Sequence, residues 1–134
     1  MRNSVKNSIE NDIHTLYLVD GIIHAAYTPK SHITLEKAKQ TVKDRIEICN
    51  GVPMPVLGDI RHLKGMDNEA REYLAKDECF ELLPAIAILA ENPFQFIIYK
   101  FFFTFINKEN KVPTKLFRNK EKALLWLGAF RSSN

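Results

Sequence analysis

The chain has 134 residues, 46% of them hydrophobic and 26% charged, which fits one globular domain with a buried core and leaves no room for two independent ones. Its 19 basic and 16 acidic residues leave a formal charge of +3, too weak a field to imply nucleic acid, and no run approaches the ~20 apolar residues of a membrane span. The opening MRNSVKNSIEND lacks the apolar core of a signal peptide. Two cysteines, Cys49 and Cys79, are too few for a secreted disulfide scaffold, so reduced thiols and a cytoplasmic location are expected.

Residues 1–12 read as a polar lead-in, and 13–132 as the domain. The runs from Ile13 to Val19 and from Ile22 to Tyr27 are β-prone, and Asp20-Gly21 between them favours a tight type I′ hairpin. Pro29 ends the second strand. Thr34 can cap a helix whose apolar positions Leu35, Ala38, Val42, Ile46 and Cys49 recur every three to four residues until Asn50-Gly51 stops it. The stretch from Pro55 to Ile60 predicts a short core strand, and Asn68 is expected to cap a helix with Ala70, Tyr73 and Leu74 on its inner side. PAIAILA, from Pro84 to Ala90, is a continuous apolar run of the kind a central strand covered on both faces requires. Asn92-Pro93 supplies a cap and a first-turn proline for the next helix, the run from Thr114 to Phe117 a last strand, and Asn119 the start of a helix with Ala123, Leu124, Leu127 and Phe130 facing inward. The order is β-β-α-β-α-β-α-β-α. It predicts an α/β domain with a mixed sheet of about five strands and helices packed against it.

The polar groups of interest gather at one strand-to-helix junction, VLGDIRHLKGMDNEAREYL, where α/β domains commonly bind ligands or partners. The order and this junction together resemble the STAS domain family, the fold of bacterial anti-sigma-factor antagonists and of the cytosolic tails of sulphate transporters. In those antagonists a strand ending in Asp is followed, several residues on, by Met-Asp-Ser-Ser-Gly at a helix start. Here the strand ends at Asp59, and Met66, Asp67, Asn68, Glu69 and Ala70 fall at that spacing. VPTKLF, from Val112 to Phe117, with Glu121, Lys122, Ala123, Leu124, Trp126 and Leu127 after it, is similar to a branch of uncharacterised bacterial proteins described as STAS-like or SEC14-like. The resemblance implies a protein-interaction module, with Asp59, Arg61, His62, Met66, Asp67, Asn68 and Glu69 as partner-binding residues. In the phosphorylated antagonists the second serine of the motif accepts phosphate from a kinase; Glu69 stands in that place and cannot.

Other chemistry finds little in the sequence. His14, His24, His32 and His62 have no zinc-like spacing, and Asp59, Asp67 and Glu69 lie beside Lys64, so no metal is expected. The serines lack a Gly-x-Ser-x-Gly context, neither cysteine sits in a pair motif, and no glycine-rich phosphate loop occurs; no cofactor is implied. A hydrolase or transferase would have to use Asp59 with His62, which requires both side chains to converge on one cleft. The segment FQFIIYKFFFTFI, from Phe94 to Ile106, is apolar nearly all round, broken mainly by Gln95, Lys100 and Thr104. A helix there must hide more than one face. Its second face, with Phe94, Ile98, Phe101, Phe102 and Phe105, can simply be buried in the domain, or be a homodimer contact, the roof of a cavity for an apolar or lipid-like ligand, as SEC14-like carriers imply, or a membrane-surface contact.

Overall fold

The computed structural model describes residues 7–97, 100 and 112–132. Ser8–Glu10 (β1), His14–Val19 (β2) and Ile22–Tyr27 (β3) form an antiparallel meander. Its turn has Asp20 at φ 51° and Gly21 at φ 78°, the pair of positive φ angles that a type I′ hairpin demands. His32–Ile33 (β4), Leu35–Cys49 (α1), Val56–Asp59 (β5), Gly65–Met66 (β6), Asn68–Leu74 (α2), Ile86–Leu89 (β7), a helical segment over 93–97 (α3), Thr114–Phe117 (β8) and Lys120–Leu127 (α4) follow. Short 3-10 turns occupy Asp77–Phe80 and Gly128–Phe130.

The main sheet has six strands in the order β1-β2-β3-β5-β7-β8, with β3, β5, β7 and β8 mutually parallel. The expected mixed α/β architecture is therefore present with one strand more. That strand comes from the polar lead-in: of β1 only Ile9 reaches the core, so its sequence carries no apolar alternation to announce it. A separate two-stranded parallel ladder, β4 with β6, ties the loop before α1 to the loop before α2.

Caps fall where the short polar side chains allow. Thr34 accepts a hydrogen bond from the Lys37 amide (3.3 Å), Asn92 from the Gln95 amide (3.0 Å) and Asn119 from the Lys122 amide (2.9 Å), and Asn50 ends α1 in the left-handed region at φ 48°.

Strand side chains alternate between two faces. Leu16, Ile23, Val56, Ile86 and Ile88 point toward α1 and α2, where they meet Ile33, Ala38, Ile48, Leu63, Met66 and Ala70. Ile22, Leu57, Ala87 and Leu89 point the other way and are covered by Ala123 and Leu127 of α4, with Trp126 and Phe130 packed around them.

Candidate functional site

β5 delivers Asp59 to the C-terminal end of the parallel part of the sheet. The chain then turns at once, and Arg61 folds back on the carboxylate: its backbone N–H and Nε–H donate to Oδ1, each at 3.0 Å, and Nη2 donates to Oδ2 at 2.9 Å. Burial by itself would raise the Asp59 pKa. The Arg61 hydrogen bonds and charge outweigh it, with His62 adding a little, and hold the carboxyl below its ordinary value, while Arg61 is pushed up in return. Both Asp59 oxygens are thus occupied, and the His62 side chain is exposed beside them with no hydrogen bond to the carboxylate among the described residues. The pair builds no proton relay.

The docking residues read from the sequence separate into three groups. His62, Asn68 and Glu69 are exposed; Asp59, Arg61 and Asp67 are half-buried; Met66 is buried, packed with Ile33 and Ala70, and presents no surface to a partner. The helix cap also differs from expectation. Asp67, not Asn68, holds the cap position, and its side chain caps nothing: Oδ1 lies 2.5 Å from His32 Nε2. A ring N–H donor brought alongside by the β4–β6 ladder takes the carboxylate that the helix amides would otherwise hold. Asn68 becomes the first helical residue and accepts instead from Arg71 Nη1 at 3.3 Å.

Two residues of this site carry no signal in the sequence. His32 sits 35 positions before Asp67 and meets it only because His32 pairs with Gly65 across the ladder, where a Cβ on residue 65 would collide with the imidazole. Gln95 looked like an interruption in an apolar helix. It is instead fully buried: its Nε2 donates to the Arg61 carbonyl at 2.6 Å, and its Oε1 accepts from the Glu91 amide at 2.7 Å. Its neighbours Phe94 and Ile97 are exposed, while Ile98, Phe101, Phe102 and Phe105 of the expected apolar face lie outside the described residues.

Beneath the junction, between the sheet and α1 with α2, lies a cavity of about 120 Å³. Phe94 is not part of its wall, so this space is distinct from one beneath the described start of α3. Against one end stands a buried polar cluster. His14 Nε2 donates to Asp44 Oδ2 at 2.8 Å, His14 Nδ1 shares a hydrogen bond with the Thr41 hydroxyl at 3.2 Å, and Asp44 also accepts from Asn11 and Gln40. Desolvation raises the pKa of Tyr27 next to it, partly offset by a hydrogen bond with Thr41. Among the described residues no three or more His, Cys, Asp or Glu side chains gather as a metal site would require, and no helix is long and apolar enough to cross a membrane.

A family model, described only as a domain of unknown function, DUF7793, matches residues 16–131. The chain belongs to the DUF7793 family. No protein of curated function matches it. Two solved structures resemble the DUF7793 chain throughout: an uncharacterised protein of the DUF3478 family with a SpoIIAA-like fold from Shewanella loihica PV-4 (TM-score 0.60, 18% identity, 95% of this chain and 98% of that one), and an anti-sigma factor antagonist from Mycobacterium paratuberculosis (TM-score 0.60, 14% identity, 85% and 92%). At these identities the likeness establishes the fold, which is the SpoIIAA-like, STAS fold that the junction motif and element order suggest.

Proposed function

We propose that the chain is a non-enzymatic, STAS-like protein-interaction module that docks a protein partner through the junction, with Glu69 holding a permanent negative charge where antagonists of this fold carry a phosphorylatable serine. The observation that carries the reading is the exposure of Glu69 on the first turn of α2, at the motif spacing from Asp59. Two further features support it. The surrounding charges are locked in place, Asp59 by Arg61 and Asp67 by His32, so the surface offers a preformed pattern rather than mobile side chains. And the anti-sigma factor antagonist with the same fold is, by its description, a protein that acts on a protein. A glutamate carries one charge and two acceptor oxygens where phosphoserine carries nearly two charges and three, so a partner reading Glu69 would present a basic residue and gain most of its benefit in association rate.

The test is to measure binding of candidate protein partners to wild type and Glu69→Lys. The charge reversal should weaken a true partner at least tenfold. Binding that survives Glu69→Lys and fails only when a distant face is altered overturns the reading.

A further inference from the structure

The cavity between α1 and the sheet is the feature that docking leaves unexplained. It lies where two small residues stand side by side: Ala25 of β3 and Gly58 of β5 are partners in the ladder, and both face α1. Backbone geometry does not require glycine at 58. Its φ is not in the positive region, and an added Cβ would meet only Ile88 Cδ1 at 3.6 Å, Ala87 O at 3.8 Å and Ile86 Cδ1 at 3.9 Å, ordinary contact distances. Glycine inside a strand weakens it, and domains seldom keep voids larger than a water molecule. A larger residue would relieve both faults, yet the sequence keeps the space open.

The walls say what could fill it. Leu16, Ile86, Ile88, Phe80 and Leu83 contribute apolar surface. The polar side chains that reach the cavity have partners of their own: His14 with Asp44 and Thr41, Tyr27 with Thr41, Asp59 with Arg61, Arg71 with Asn68 (3.3 Å), and Arg45 with the carbonyls of Cys79 (3.0 Å) and Glu81 (2.9 Å). A charged ligand would lose its hydration against walls that are overwhelmingly apolar. An apolar space of about 150 Å³ is enough to accept a benzene ring. We infer that this cavity is a binding site for a compact, uncharged apolar molecule about the size of one aromatic ring, held between α1 and the Ala25–Gly58 floor of the sheet.

Toluene is a suitable probe, with benzoate as its charged counterpart. Toluene added to the full chain should raise the melting temperature by several degrees and shift the methyl NMR signals of Ile86 and Ile88, while benzoate should do neither. Ala25→Leu, which fills the space, should remove both toluene effects while the variant melts at or above the unliganded wild type. If Ala25→Leu does not fold, Gly58→Ala, which removes less of the space, should weaken toluene binding at least threefold. Absence of methyl shifts at toluene saturation overturns the inference, and so does a toluene response that neither variant diminishes. Neither result bears on docking at Glu69, which is read out by partner binding alone.

Discussion

The two faces of the sheet use small residues to opposite ends. On the α4 side, Ala85 and Ala87 lie under Ala123 and Leu127, so the helix settles close and all four residues are fully buried. On the α1 side, Ala25 and Gly58 are equally small, but the helix above them turns Thr41, Asp44 and Arg45 inward, and those side chains are held elsewhere: Thr41 and Asp44 by His14, Arg45 by backbone carbonyls of the turn after α2. The helix is thereby propped over the sheet rather than lowered onto it. Residue size sets how near two layers can come; the polar anchors decide whether they do.

The strongest way to break the contrast is to remove an anchor. Asp44→Ala leaves His14, 1% exposed, without its carboxylate, and should cost about 3 kcal/mol or more in urea denaturation. A loss under about 1 kcal/mol would mean that the cluster does not hold α1 in place. Next comes overpacking the closed face. Ala87→Leu has no space under α4 and should destabilise by about 1–3 kcal/mol. The same enlargement at position 25, above the void, should be neutral or stabilising, and equal losses at both sites would erase the difference between the faces.

The smallest effect is titration at the margin of the α4 face. His24 of β3 stacks on Tyr17 with ring centroids 4.8 Å apart; burial lowers its pKa from 6.5, Lys120 lowers it further, and Asp20 opposes them. The unfolded chain therefore takes up a proton that the folded one resists. The stability contributed by neutral His24 is fully present above pH 6.5 and is lost as the pH falls from there through the lower folded value. His24→Phe keeps the stack and should flatten the stability profile in that window; an unchanged slope would assign the pH dependence to other groups.

What the sequence disclosed was local. Asp20-Gly21 announces its hairpin because both residues tolerate positive φ, and Thr34, Asn92 and Asn119 announce their helices because short polar side chains reach amides two or three residues on. The junction motif was legible for the same reason, being one continuous stretch. What remained hidden depends on register. His14 and Asp44 are 30 residues apart, His32 and Asp67 are 35 apart, and the Ala25–Gly58 floor emerges only once β3 is aligned on β5. β1 gave no warning because an edge strand with one inward residue has no pattern. The cap of α2 was misassigned to Asn68 because Asp67 had a competitor, the His32 ring, that local reasoning cannot see.

The buried Gln95 carries a consequence of its own. With one end of its amide donating to the carbonyl beyond Asp59 and the other accepting from the amide of Glu91, it fastens the first turn of α3 to the end of β5 like a peg through two rails. Only an amide fits both holes: a glutamate would point oxygen at oxygen on the Arg61 side, and a lysine would offer the Glu91 amide nothing to hold. That first turn is thus moored by a polar side chain, and any movement of it would be felt where Arg61 grips Asp59.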